Sequence, residues 1–320
     1  MSPEDSLRFK MDIAFKGRES QVKAEPSSGR IFFLIPLSII LLTAALCVYE
    51  TLAQQHTPDQ SILAVLHKNG YLLTVPIVYQ PSKGIWLYMG WAGATMMVLM
   101  LLYSVRKRMS LLRPLGRLPQ WLSLHMFLGI MGPMLITFHT TFKFGGIIAT
   151  SYFCMMATMI SGLLGRYLYV QIPRSISGTE LQVQDIDRMV EDFDRELNQF
   201  TGGMNVSNFL KAVALDPGRT ASSNPFSSLY QMIRTDLTNF FIIFSVKSAL
   251  ERDYHLDREA VRKIALMLKK KAELVRRKHF LAASHSLLHY WHVFHLPLSI
   301  VMFVIMFLHI GVYYLFRPVH

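Results

Sequence analysis

The sequence predicts an all-α integral membrane protein: a bundle of five transmembrane helices with a helical cytoplasmic insertion. Of its 320 residues, 52% are hydrophobic and only 17% are charged, which is too apolar for an ordinary soluble domain. The apolar residues also cluster into five stretches, each close to or above the ~20 residues needed to cross a bilayer. The predicted spans are Ile31–Val48, Ile85–Ser104, Trp121–Phe142, Gly146–Tyr169 and Tyr290–Phe316.

The first predicted span follows a polar segment, residues 1–30, that we expect to be a loosely ordered cytoplasmic leader. No small-x-small cleavage site follows the apolar run, which favours a spanning anchor over a removed signal peptide. The domain prediction is therefore a leader at 1–30, four spans within 31–170, an insertion at 171–289, and a fifth span with an external C-terminus at 290–320.

The connections between the spans differ in charge. The net charge is +12, and five basic residues crowd the short loop from Arg106 to Arg117, whereas residues 50–84 contain only Lys68 and Lys83. Many more basic residues lie between spans four and five. This asymmetry predicts a cytoplasmic N-terminus, a cytoplasmic insertion and an external loop at 50–84. It indicates contact with membrane lipid rather than with nucleic acid, and we expect a bacterial-type inner membrane.

The connecting segments carry weaker signals. The external loop, rich in Pro and Gly around Tyr71–Tyr79, is expected to form a short hairpin or a cap over the helix ends. In the insertion, helices are predicted at Leu181–Phe200, with an acidic and solvated face, at Ser227–Arg252, and at Arg258–Arg277, which is strongly basic and runs on into span five. Two cysteines, both inside spans, are expected to serve packing only.

Four histidines lie inside the predicted spans in two matched pairs. His125 and His139 are fourteen positions apart in span three, and so are His295 and His309 in span five. Fourteen residues are just under four helical turns, so both imidazoles of a pair lie on nearly one face, roughly 21 Å apart along the axis. Ionisable side chains inside a membrane span are costly and usually functional. The spacing therefore predicts two stacked metal centres held between two helices.

The predicted topology also pairs the histidines by depth. Spans three and five both run from the cytoplasm outwards, so His125 meets His295 near the cytoplasmic face and His139 meets His309 near the outer face. The natural centre for two facing imidazoles is a haem iron with two axial histidines. Because no CxxCH motif is present, such a haem is held non-covalently. The alternative is a purely structural role, in which these histidines only form hydrogen bonds between helices.

The segments LHMFLGIMGPMLITFHTTF and WHVFHLPLSIVMFVIMFLHI resemble the dihaem cores of membrane cytochromes b. The spacing on two parallel helices is similar to cytochrome b of quinol:cytochrome c oxidoreductases, and the short loops are closer to ferric-reductase-like and respiratory-subunit cytochromes b. The likeness covers spans two to five. It implies two haem b groups and, as a further ligand, quinone. No flavin or nicotinamide fingerprint is present, which departs from ferric-reductase-type enzymes.

Four further residues are candidates for contact with such a cofactor. Gly129 and Gly132 would let a flat macrocycle approach the backbone, although small residues also serve helix packing. Arg166 is a candidate partner of a haem propionate, against simple anchoring by the positive-inside pattern. His292 is the main rival of His295 as a ligand. With His285 and His289 it otherwise fits a helix entering the headgroup region.

The resemblance implies a subunit that carries electrons across the membrane between a quinone pool and a redox partner protein of the iron–sulfur or cytochrome c type. With no second catalytic motif, we expect an electron-transfer subunit of a respiratory oxidoreductase complex rather than a stand-alone enzyme. Two alternatives stay open. One is a transporter or channel whose histidines handle protons or metal ions, and the other is a structural membrane anchor.

Overall fold

The computed structural model describes residues 27–71, 79–112, 114–173, 181–200, 224–237 and 258–316. Within these ranges the regular elements are helices, and no β-strand is present. We number the α-helices in chain order: α1 Ser27–His56, α2 Ile62–Lys68, α3 Gly84–Met100, α4 Leu102–Arg108, α5 Leu118–His139, α6 Gly146–Gln171, α7 Val183–Phe200, α8 225–237, α9 Arg258–His279 and α10 Leu281–Leu315.

Five of the described helices are long and apolar enough to cross a membrane, which confirms the predicted all-α architecture with five spans. These spans cover Leu34–His56, Gly84–Arg108, Leu118–His139, Gly146–Gln171 and Leu281–Leu315. Their outward apolar side chains are largely exposed, as on Leu42, Phe153 and Leu308. Exposed leucine and phenylalanine side chains in this number suit contact with lipid tails. The backbone polar groups make their hydrogen bonds inside each helix, so they do not need water. The chain is a membrane protein.

The described residues divide into two compact units. The first runs up to Leu163 and resumes at His295, and the second covers Leu164–Phe294. The unit boundaries fall inside α6 and α10. Each unit has its own apolar core.

The first unit is built around the close packing of α3 against α5. A methyl group added at Gly93 would lie 2.9 Å from the carbonyl oxygen of Gly132, so the absence of side chains lets the two backbones approach. Buried methionines fill the space beside this crossing and extend the core to α6 and α10; the cluster is Met97, Met100, Leu128, Met155, Met302 and Phe303. A second cluster joins Cys47, Trp86 and Phe138. Both cysteines are free and serve packing, as predicted.

The segment after α1 is helical rather than extended. A short 3-10 turn at Pro58–Gln60 leads into α2, whose first turn is capped by Ser61. The Tyr49 hydroxyl donates to the carbonyl of Gln60 at 2.9 Å, which holds this turn against the end of α1. Most of the predicted hairpin around Tyr71–Tyr79 lies outside the described residues.

The second unit joins the end of α6 to α7, α8 and α9. Its apolar core contains Leu168, Met232, Phe280 and Leu287. The acidic face of α7, expected to be solvated, instead meets the basic helix α9: Asp187 pairs with Lys278 and Asp194 with Lys271. The sequence pattern identified both helices but not their pairing, because charge alone does not say which surface faces which.

Helix α10 begins at Leu281, nine residues before the predicted start of span five, and continues through Pro297. Only Phe280 separates it from α9, and the backbone hydrogen bonds Phe280 N to Arg276 O and Ser284 N to Phe280 O bridge the break. The predicted run-on from the basic helix therefore holds apart from this single turn residue. The leader before Ser27, Arg113, Arg174 and the second half of Ser227–Arg252 lie outside the described residues.

Candidate functional site

His125 and His295 line one cleft between the helices of the first unit. His125 lies on α5 and His295 on α10, and both side chains are half-buried. This is the pairing by depth that the sequence predicts for the cytoplasmic-side pair. The remaining lining is apolar or small, and it includes Gly129, Thr158, Gly162 and five methionines: Met97, Met100, Met126, Met155 and Met159.

The first imidazole is fixed by a backbone carbonyl. The Nδ1 atom of His125 lies 3.0 Å from the carbonyl oxygen of Met100, at the end of α3. A carbonyl oxygen only accepts hydrogen bonds, so Nδ1 carries the proton and Nε2 keeps the lone pair that a metal ligand needs. The ring of Tyr103 packs beside it, with the ring centroids 5.2 Å apart.

The second imidazole is fixed by a hydroxyl. The Nδ1 atom of His295 lies 2.7 Å from Oγ of Ser161 on α6, and the same hydroxyl lies 2.9 Å from the carbonyl of Thr158, to which it can donate. When its single hydrogen goes to that carbonyl, the Ser161 oxygen accepts from Nδ1 of His295 and Nε2 keeps the lone pair. Hydrogen bonds of this kind, from the second ring nitrogen, are the usual support of a metal-ligating histidine.

His139 is anchored in the same manner at the opposite end of α5. Its Nδ1 donates to the carbonyl of Trp86 on α3 at 2.8 Å. The ring reaches this carbonyl by lying over Gly90, one turn further along α3, where an added methyl group would be only 2.6 Å from Nδ1. Glycine at this position therefore makes room for the imidazole. His309 on α10 is half-buried as well.

The cleft contains one buried polar group without a partner. Thr158 is only 4% exposed, and its Oγ1 has no hydrogen-bond partner in the described structure, although buried hydroxyls are usually bonded. The two imidazoles that line the cleft are donors that a haem iron accepts, and Gly129 and Gly162 leave the backbone without side chains beside them. The cleft itself is narrow, about 30 Å³. A macrocycle would require the flexible methionine side chains to move apart.

The four predicted contact residues have different surroundings. Gly129 lines the cleft, and a methyl group there would lie 3.6 Å from Sδ of Met100, which is an ordinary contact. Gly132 instead packs against the backbone of Gly93. Arg166 is exposed and lies over the ring of Tyr169, 5.7 Å from its centroid.

His292, the predicted rival of His295, is exposed on α10. Its Nδ1 donates to the carbonyl of Leu288, one turn earlier on its own helix, at 2.9 Å. Its ring also packs edge-on against Trp291, with the centroids 4.5 Å apart. These contacts with its own helix contrast with the bond from His295 to a hydroxyl on α6.

The site residues that the sequence pattern did not reveal are the partners of the histidines: Gly90, Ser161, Trp86 and the methionine lining. Ser161 and Thr158 had a usable signal, because they are polar residues three positions apart in an apolar span. The carbonyl acceptors of Met100 and Trp86 have no signal in the sequence, since every residue carries a backbone carbonyl.

Comparisons of the chain with protein-family models, with curated proteins and with solved structures give no match. In the described parts of the chain, no group of three or more His, Cys, Asp or Glu side chains is placed to hold a metal ion. The functional interpretation therefore depends on the two histidine pairs and their immediate contacts.

Proposed function

We propose that the protein is a dihaem b-type cytochrome subunit that carries electrons across the membrane between a quinone pool and a redox partner protein. One observation carries the proposal: three of the four paired histidines hold Nδ1 within hydrogen-bond distance of a polar group on another helix. For His125 and His139 that group is a carbonyl, which only accepts, so Nε2 is left as the lone-pair nitrogen. This is the arrangement that axial ligation of a haem iron needs.

The chain's own residues supply orientation and environment. Met100, Trp86 and Ser161 hold the imidazole rings in place, and the methionine-rich lining keeps water away from the cleft. Bound haems would supply reversible one-electron chemistry. The separation of the two histidine pairs, roughly 21 Å from the helical rise, covers most of a ~30 Å hydrocarbon layer.

The topology and partners form part of the same proposal. The charge asymmetry of the loops supports a cytoplasmic N-terminus in a bacterial-type inner membrane. The second unit then lies on the cytoplasmic side and offers a docking surface for an iron–sulfur or cytochrome c type subunit. A quinone would complete the electron path, so the chain acts as an electron-transfer subunit of a larger complex.

A reduced-minus-oxidised absorption spectrum of the purified chain tests the proposal. We expect b-type bands and two haems per chain. A His139→Ala variant should keep one haem with a bis-histidine spectrum, because the inner pair stays intact. A colourless wild-type protein would exclude the proposal. The two alternatives, a transporter or channel and a structural membrane anchor, would then remain.

A second candidate function is a membrane protein that binds copper(I). Five methionines and two histidines line the cleft, and thioether and imidazole are ligands that copper(I) accepts. The cleft, at about 30 Å³, takes an ion without rearrangement. Elemental analysis separates the two candidates: this one requires copper without haem, and His125→Ala or Met100→Leu should then lower the copper content.

A further inference from the structure

Glu50 is a buried carboxylate inside a membrane span. It lies on α1 and is 5% exposed, and it is the only acidic residue in the five spans of the described chain. The first span predicted from the sequence ends at Val48 and leaves Glu50 outside the membrane. A charge at such a position is costly and persists where its partners satisfy it.

Each carboxylate oxygen of Glu50 has one donor. Oε1 accepts from Nε2 of Gln54 at 2.7 Å, and Oε2 accepts from the backbone N–H of Ile62, the first residue of α2, at 2.7 Å. The Gln54 side chain then continues to α3, because its Oε1 accepts from the indole Nε1–H of Trp86 at 3.1 Å. Trp86 is 1% exposed, and its carbonyl is the acceptor that anchors His139.

The direction of these bonds is forced by the chemistry of the two ends. A carboxylate only accepts and an indole N–H only donates, so the Gln54 amide has one orientation that satisfies both. Glu50 selects that orientation by binding the amide nitrogen, which turns the amide oxygen towards the indole. Glu50 and Gln54 thus connect the backbone of α2 to the indole of Trp86.

We propose that Glu50 is a positioning residue for His139, acting through Gln54 and Trp86, and that it ties the outer helix α2 to the outer histidine pair. The assignment of His139 as a ligand rests on the proposed function. The connection from α2 to Trp86 is independent of any bound group.

An exchange of the two side chains tests the connection. In Glu50→Gln, two amide groups face each other, and one buried donor must point at another donor: between the two amides, at the indole of Trp86 or at the backbone N–H of Ile62. In Gln54→Glu, two carboxylates face each other. In the double exchange, the amide now at position 50 accepts from the N–H of Ile62 and donates to the carboxylate now at position 54, which also accepts from Trp86. Each single variant should therefore leave a buried polar group without a matching partner. The double exchange should restore the full set of hydrogen bonds.

The first readout needs no haem. Cys47 is 4% exposed and packs with Trp86 in the first unit, so its reaction with N-ethylmaleimide reports how tightly that cluster is held. The variants are made in a Cys154→Ala background, which leaves Cys47 as the single thiol. We expect each single exchange to speed labelling roughly tenfold, the effect of one buried polar group losing its partner, and the double exchange to return it to the parent rate.

The second readout is the midpoint potential of the outer haem, with the inner haem as internal reference. Each single exchange should shift the outer potential alone, and the double exchange should bring it back towards the parent value. Thr51→Val is the matched control, because Thr51 is the next residue on α1, is 5% exposed and has no hydrogen-bond partner for its Oγ1. It should leave both readouts unchanged.

The outcomes separate the two proposals. Single exchanges that label at the parent rate would overturn the connection, and so would a double exchange that stays as reactive as the single variants. Altered labelling together with an unchanged outer potential would overturn the role of Glu50 in positioning His139. A parent protein without haem would overturn the proposed function, while the labelling series would still decide whether Glu50 holds Trp86.

Discussion

At the scale of single residues, the candidate site is defined as much by what surrounds each imidazole as by the histidines themselves. Ser161 shows this most directly, because its hydroxyl lies 2.7 Å from Nδ1 of His295 and 2.9 Å from the carbonyl of Thr158. A serine so placed holds the rotation of the imidazole ring. Replacement by alanine would remove that control without changing the histidine.

Gly90 gives a sharp prediction about the outer pair. A methyl group in Gly90→Ala would lie 2.6–2.8 Å from three atoms of the His139 ring, closer than van der Waals contact allows. The ring must move, its bond to Trp86 is lost, and haem content should fall from two per chain to one. Pigment extraction measures this. Gly311→Ala, where the methyl group meets nothing within 4 Å, should keep both haems.

The choice between His295 and His292 gives a second prediction. Under the proposed function, His295→Ala should lose the cytoplasmic-side haem. The reason is that Nδ1 of His295 is anchored on α6 by Ser161, which leaves Nε2 for the iron. His292→Ala should keep both haems, because His292 is exposed and bonded to its own helix. Haem quantification of the two variants decides the assignment. One haem in His292→Ala beside two in His295→Ala would reverse it.

The four candidate histidines could be predicted from the sequence, because the fourteen-residue spacing of each pair lies within a single helix. It could not supply their anchors, since the partners come from other helices: His139 bonds a carbonyl 53 positions away and His295 a hydroxyl 134 positions away. Glu50 was missed for a related reason. Hydropathy marks where the apolar run ends, whereas the helix continues to His56 and buries the carboxylate.

At the scale of helices, α6, α8 and α9 meet at one polar node in the second unit. Asp236 accepts from the Tyr167 hydroxyl at 2.6 Å and from Gln171 at 3.1 Å, and it pairs with Arg276. Burial, together with the neighbouring positive charge of Arg277, lowers the pKa of the Arg276 guanidinium below its ordinary value. The group stays charged because an arginine pKa lies so far above neutrality.

Breaking this node should destabilise the second unit. Asp236→Ala leaves the guanidinium of Arg276, whose side chain is 12% exposed, without its carboxylate, and we expect a loss of about 3 kcal/mol. Thermal unfolding in detergent measures the change. Asp192→Ala is the control, because its partner Arg195 is 72% exposed on the same helix, and its loss should cost at most about 0.5 kcal/mol. Equal losses in the two variants would contradict the prediction.

At the scale of the whole molecule, the loop charges predict which segments face the cytoplasm. Protease added to intact cells should reach the connection between α1 and α3, residues 57–83, and spare residues 171–289, because the basic connections remain inside. Mass spectrometry of the fragments locates the cuts. Cuts confined to 171–289 would invert the topology and exchange the sides of the two histidine pairs. The number of spans was readable from hydropathy, whereas this orientation comes from charge alone and stays a prediction.

The methionines around the cleft have a consequence for the protein's durability. Peroxide converts a methionine thioether into a polar sulfoxide, which disrupts apolar packing. Met97 and Met155 are buried and shielded, whereas Met126 and Met159 on the same lining are only half-buried. The flexible side chains that can make room for a large ligand are thus also partly open to oxidation. Sulfoxide reductases would then be needed to keep the lining apolar.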